Sequence, residues 1–176
     1  GTMHSFNNQG GGNIQEGIEM LNGADEIIGH NIVNFDIPAL FKLYGFGHPN
    51  LTDTVILSRC IYPDLRNDDF KRDDFPTKLI GSHSLKAWGH RLDLHKGEFG
   101  ETSDWSEWSH QMQDYCEQDV RVTNALYTWL MSSSPSAQMV KLEHYFAIII
   151  RQQEYSGFPF DVKKAEKLNL QLMERR

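Results

Sequence analysis

The longest regular pattern in the sequence is the run of residues 105–131, which contains neither proline nor glycine. Apolar side chains recur in it every three to four residues, which is the spacing of one face of an α-helix. We therefore predict a long helix whose core-facing stripe comprises Val120, Val122, Ala125, Leu126 and Trp129. Ser103 or Asp104 is the expected N-cap of this helix.

The first half of the chain alternates between shorter helical and extended patterns. Residues 14–21 have helical spacing and end at Asn22-Gly23, whereas residues 25–29 (DEIIG) are typical of a short buried strand. Residues 37–43 predict another helix, and residues 51–60 predict a second step from strand to helix with Asp53 as its N-cap. This alternation indicates an α/β fold.

Polar segments separate the remaining predicted elements. Residues 64–77 are densely charged and are expected to form an exposed loop, and residues 95–103 form a second polar loop. Ser84 is the expected cap of a helix over residues 85–91. Residues 1–8 show only weak alternation, as expected for a cloning remnant or the end of a strand. The glycine-rich residues 9–13 lack the Lys-Ser/Thr of a phosphate-binding loop.

A serine-rich linker at residues 132–136 precedes a C-terminal helical region. Residues 137–156 predict a helix that ends at Gly157, and its expected apolar side comprises Leu142, Tyr145, Phe146, Ile149 and Ile150. Asp161 is the expected cap of a last amphipathic helix whose apolar side comprises Leu168, Leu172 and Ala165.

Composition and charge narrow the class of protein. Hydrophobic residues make up 39% and aromatic residues 11% of the chain, as in a soluble globular protein, and no apolar run approaches the ~18 residues of a membrane span. Two cysteines indicate a reducing environment rather than a disulfide framework. The net charge of −7 argues against binding a phosphate backbone through surface charge alone. Divalent cations can nevertheless reverse the sign of a local acidic site.

Two polar clusters are candidates for chemistry. Tyr115 and Asp119 are four residues apart and share one face of the long helix, where a phenol could orient a water and a carboxylate could hold a cation. The alternative is a solvated helix surface. His30, Asn31 and Asp36 follow a predicted strand, where α/β sheets place ligand sites. Here the alternative is structural, with Asp36 as an N-cap and the other two as turn residues.

Five segments together resemble family A DNA polymerases of the short-tailed bacteriophage type. GHNIVNFDIPAL, LTDTVILSR, GSHSLKAWG and YCEQD are similar to the 3′–5′ proofreading exonuclease domain, and EYSGFPFD is similar to the start of the polymerase domain. The resemblance implies an α/β ribonuclease-H-like exonuclease fold, followed by helices. It also implies a boundary between exonuclease residues 1–134 and polymerase residues 135–176.

The resemblance assigns roles to individual residues. The family's Asn-x-x-x-Phe-Asp motif matches Asn31, Phe35 and Asp36, and its Tyr-x-x-x-Asp motif matches Tyr115 and Asp119. Asp119 would then ligate the metal on the nucleophile side, and Asp36 would hold the second metal largely through water. Tyr115 would orient the attacking water. Asn31 would support the DNA 3′ end.

The implied cofactors are two Mg²⁺ ions, which Mn²⁺ could replace, about 4 Å apart for in-line phosphodiester cleavage. The implied partners are a single-stranded DNA 3′ end or primer-template, the remainder of the polymerase chain and a host processivity factor, with no membrane. The expected location is the cytoplasm, that of the host cell for a phage protein. Phe35 and Trp88 are candidates for stacking on DNA bases, with core packing as the alternative for both.

The sequence departs from the family at its first motif, an Asp-x-Glu whose Asp bridges the two metals. No Asp in this chain has Glu two positions later. We therefore expect a fold that lacks its first strand or strands, an exposed sheet edge prone to self-association, and weak metal binding with little nuclease activity in the chain alone. Two alternatives stay open. A separate polypeptide could supply the missing strand, or the chain could be a non-catalytic DNA- or protein-binding module.

Overall fold

Helices and short strands alternate in the first half of the chain, and the second half is helical where the structure describes it. The computed structural model describes residues 1–9, 13–94 and 106–175. The elements are α1 (Ile14–Asn22), β1 (Ile27–Gly29), α2 (Asp36–Tyr44), β2 (Leu51–Asp53), α3 (Thr54–Ile61), α4 (Arg66–Asp69), a 3₁₀ turn (Thr77–Leu79), α5 (Leu85–Arg91), α6 (His110–Ser132), α7 (Ala137–Ser156) and α8 (Val162–Met173).

The two strands form a parallel pair joined by helix α2. Ile27 pairs with Leu51 and Gly29 pairs with Asp53, so the carboxyl ends of both strands lie side by side. A helical crossover is the usual connection between parallel strands. The α/β prediction is thus confirmed, with a small sheet in the described residues. The ribonuclease-H-like topology stays a prediction.

The hydrophobic core lies where helices α3, α5 and α6 meet. Trp88 is only 2% exposed within it, which confirms core packing for this residue. On α6 the buried line is Val122, Leu126 and Leu130, at a strict four-residue spacing. The predicted stripe is therefore partly wrong, because Val120 and Trp129 project from other sides of the helix and are 55% and 51% exposed.

Most predicted helix caps are confirmed. Ser84 accepts a hydrogen bond from an amide of α5, and Asp161 does the same for α8. The cap predicted for α6 is wrong, because Ser109 is extended and accepts a hydrogen bond from the Met112 amide, so the helix begins at His110. Ser103, Asp104 and the predicted loop at residues 95–103 lie outside the described residues, as do residues 10–12 of the glycine-rich segment.

The charged segment at residues 64–77 is not the exposed loop that its composition predicted. It contains helix α4, and Leu65 and Phe75 are buried. Asp69 is 3% exposed and forms a bidentate ion pair with Arg91, with nitrogen–oxygen distances of 2.9 and 2.7 Å. This ion pair fixes the segment to helix α5.

Helix α7 packs on the rest of the protein through a different side from the predicted one. His144 is buried against β2 and Val140 packs on the core, whereas Leu142, Tyr145 and Phe146 are more than half exposed. Gly157, with φ 65°, ends α7 as predicted. The predicted apolar side is therefore partly wrong: Ile149 and Ile150 are half-buried, but the other three predicted residues are exposed because burial follows the position of the neighbouring strand.

The two ends of the chain add little to the core. Residues 1–9 are irregular and lie along α6, where Ser5 Oγ donates to Glu117 Oε1 over 2.8 Å, so the predicted strand end is not observed there. Leu168 and Leu172, on the predicted apolar side of α8, are exposed. Among the described residues, no helix has the length and hydropathy to cross a bilayer.

Candidate metal and DNA site

A cleft of about 530 Å³ lies between strand β1 and helices α2 and α6. Asp36, at the start of α2, and Asp119, near the middle of α6, both line it. The rest of the lining is largely apolar and includes Ile28, Ile37 and Tyr127. The two residues predicted as metal ligands therefore line the same cleft, although they are far apart in the sequence.

Asp36 is not the N-cap of α2, so the structural alternative for this residue is wrong. The helix begins at Asp36 itself, Phe35 occupies the cap position, and no side chain there accepts a capping hydrogen bond. Partial burial raises the pKa of the Asp36 carboxyl group; the hydrogen bond from its own backbone amide opposes this shift, and the nearby Asp53 carboxylate adds to it. A bound cation would favour the charged form and offset the raised pKa.

The loop before Asp36 is held by the buried Asp53 carboxylate. Its Oδ1 accepts from the amides of Asn31 and Val55 over 2.8 and 2.9 Å, and its Oδ2 accepts from the Val33 amide over 3.2 Å. Asp53 thus caps α3, as predicted, and also fixes the turn in which Asn31 adopts a positive φ of 64°.

The candidate residues of α6 extend the buried side of that helix towards its N-terminus. Tyr115 and Asp119 precede Val122 at the spacing of one helical face, and both are half-buried. Oδ1 of Asp119 is itself buried. One carboxylate oxygen is therefore shielded from water, although the Asp119 residue itself lines the cleft.

Of the five candidate site residues, Asp36 and Asp119 line the cleft and the other three do not. Tyr115, Asn31 and Phe35 are absent from the described residues that line it. Phe35 is 69% exposed, so the core-packing alternative for this residue is wrong. The Asn31 side chain accepts from Asn34 Nδ2 over 3.4 Å, which fits the turn role considered for it.

Some residues that support the site are not among the sequence candidates. His30, which belongs to the predicted polar cluster, has its Nδ1 2.8 Å from Thr54 Oγ1, but His144, which bonds to the backbone of Asp53, was not predicted. Thr123 and Tyr127 follow Asp119 at successive intervals of four residues and also line the cleft. That spacing was a visible signal for the helix residues, whereas nothing in the sequence links His144 to Asp53.

The carboxylates of Asp36 and Asp119 could supply only some of the ligands that a divalent cation needs. Mg²⁺ prefers about six oxygen ligands, and water or phosphate oxygens commonly supply several of them. Among the described residues, no group of three or more His, Cys, Asp or Glu side chains is arranged to hold a metal ion. Asp36 and Asp119 therefore have the right chemistry for Mg²⁺, but the described residues offer no complete binding site.

Comparison with known proteins identifies relatives of one kind. No family model matches the chain. It is 34% identical to a DNA-directed DNA polymerase of Escherichia phage T7, over an alignment of 195 positions that covers 85% of this chain. The same identity and coverage relate it to a DNA-directed DNA polymerase of Enterobacteria phage T3. The chain spans about 28% of the length of these relatives.

Proposed function

This chain is homologous to a segment of phage DNA-directed DNA polymerases, and from that relationship we propose that it carries most of a 3′–5′ proofreading exonuclease domain. Such a domain removes nucleotides from a single-stranded DNA 3′ end. The observation that carries the proposal is that Asp36 and Asp119 line the same cleft. The same two residues match the family's sequence motifs.

In the proposed reaction each residue has a distinct task. Asp119 and Asp36 would hold two Mg²⁺ ions, which lower the pKa of a bound water and stabilise charge on the attacking and leaving oxygens. Tyr115, one helical turn before Asp119, is assigned to the attacking water by the sequence resemblance alone, because it does not line the cleft among the described residues. Hydrolysis would release a nucleoside 5′-monophosphate and leave a new 3′-hydroxyl group on the shortened strand.

The DNA end would approach over the segment before α2. Phe35 precedes Asp36 directly, and its largely exposed ring can stack on a terminal base at about 1–3 kcal/mol per base. Asn31, in the same turn, has an exposed side chain within reach of a strand positioned by Phe35. Stacking contributes affinity without surface charge, which suits a chain of net charge −7.

The sequence resemblance implies a third carboxylate, which would share in holding the metal ions. Strand β1 has β2 as its only strand partner in the described residues, and Ile27, Ile28 and Gly29 line the cleft. An added strand carrying Asp-x-Glu along the other edge of β1 would place carboxylates beside Asp36 and Asp119. Without it, we expect this chain to bind metal weakly and to degrade DNA slowly.

Manganese titration followed by NMR tests the metal site in this chain as it is. Mn²⁺ broadens signals close to its binding site, so we expect the amides around Asp36 and Asp119 to broaden first. Asp36→Ala and Asp119→Ala should each remove this effect, whereas Asp114→Ala, a matched change on the exposed side of α6, should not. Broadening centred elsewhere, or unchanged in both alanine variants, would refute the proposed site.

A nuclease assay tests whether an Asp-x-Glu strand is needed for activity. A 5′-labelled single-stranded DNA with Mg²⁺ should shorten little with the chain alone and faster when a peptide bearing an apolar Asp-x-Glu strand is added. Rapid degradation by the chain alone that Asp119→Ala abolishes would show that no third carboxylate is required.

A further inference from the structure

His144 is a buried histidine on helix α7 that makes two short hydrogen bonds to backbone groups. It is 7% exposed. Its Nδ1 lies 2.7 Å from the Val140 carbonyl oxygen, one turn earlier in α7, and its Nε2 accepts from the Asp53 amide over 2.7 Å. A carbonyl oxygen can only accept and a backbone amide can only donate, so Nδ1 carries the proton and Nε2 is the acceptor.

The hydrogen bond between the Asp53 amide and His144 links helix α7 to Asp53, the residue that holds the loop before α2. The Asp53 carboxylate accepts hydrogen bonds from the amides of Asn31 and Val33. Three residues after Val33, the chain enters α2 at Asp36. A continuous path of hydrogen bonds therefore runs from α7, through the backbone and carboxylate of Asp53, to the loop that carries Asp36.

We propose that His144 is a positioning residue for the candidate site, because it fixes the Asp53 backbone and thereby the loop at residues 31–36. A role for His144 in catalysis rests on the proposed function, whereas the hydrogen-bond path itself does not depend on that function. The path also links the C-terminal helical region to the site. A change in the position of α7 would alter the loop that presents Asp36 to a metal ion.

Amide hydrogen exchange in the full chain, without metal or DNA, tests the path directly. His144→Leu keeps the volume of the side chain and removes both bonds, so the Asn31 and Val33 amides should exchange roughly fivefold faster, as expected for one lost hydrogen bond. His144→Gln can retain an acceptor near the Nε2 position and should restore most of this protection. Because no metal is present, failure here is distinguishable from failure of the manganese experiment.

Val140→Ala is the matched control, because Val140 lies on the same helix and packs on the core but makes no side-chain hydrogen bond to β2. The two variants are compared at equal stability to unfolding, adjusted with urea. If Val140→Ala accelerates exchange of the same amides as much as His144→Leu, His144 contributes only general stability. Unchanged exchange in His144→Leu, or a ring shown by ¹⁵N shifts to carry its proton on Nε2, would also overturn the proposal.

Discussion

Replacement of Asp53 by alanine should be among the most destabilising single changes in this protein. Asp53 is 1% exposed, and its carboxylate accepts hydrogen bonds from the amides of Asn31, Val33 and Val55. Alanine would leave these three backbone donors without that acceptor. The Val55 amide also belongs to the first turn of α3, whose cap would be lost.

The expected cost follows from these bonds. A buried polar group left unsatisfied costs about 1–3 kcal/mol, and a lost N-cap costs about 1 kcal/mol. Removal of a buried charge offsets part of this cost, so we expect the free energy of unfolding to fall by roughly 3–5 kcal/mol. Asp53→Asn should lose about half as much, since one oxygen remains as an acceptor. A domain of this size has about 5–15 kcal/mol of stability, so Asp53→Ala would be close to unfolding.

Urea unfolding followed by circular dichroism measures this loss. Ser84→Ala is the control, because Ser84 is an exposed cap that accepts from one amide of α5, and its loss should cost about 1 kcal/mol. Should Asp53→Ala lose no more free energy of unfolding than Ser84→Ala, the loop at residues 31–33 is not held by the carboxylate, and the support argued for Asp36 is wrong.

Three further outcomes test the rest of the fold. Burial alone would raise the pKa of the Asp69 carboxyl group, but hydrogen bonds from Arg91 and a backbone amide, together with the nearby arginine charges, hold this pKa below 3.8. The free energy of unfolding should therefore fall as the pH drops below about 4. Arg91→Met should weaken this acid dependence and cost about 3–5 kcal/mol at neutral pH, measured by urea unfolding. Burial and the charge of a nearby glutamate raise the pKa of the Cys60 thiol, so a thiol reagent should label the exposed Cys116 at least about tenfold faster. Leu126→Ala, at a fully buried core position, should cost about 2–5 kcal/mol in thermal or urea unfolding.

Features that depend on neighbouring residues can be predicted from the amino-acid sequence alone. Asp53, Ser84 and Asp161 were identified as caps because a short polar side chain bonds to an amide two or three residues later. Gly157 ends α7 because the chain there needs a positive φ, which glycine adopts without strain. The shared face of Tyr115 and Asp119 follows from helical geometry alone.

Which distant groups contact one another depends on how the helices and strands pack. The charge of residues 64–77 suggested exposure, yet Asp69 is buried because Arg91, on another helix, satisfies it. Leu142 has helical apolar spacing but faces outward, since α7 contacts β2 through His144 instead. Asp36 and Asp119 share a cleft because a parallel strand pair and α6 pack side by side. Contacts of this kind join residues far apart in the chain, and no local propensity encodes them.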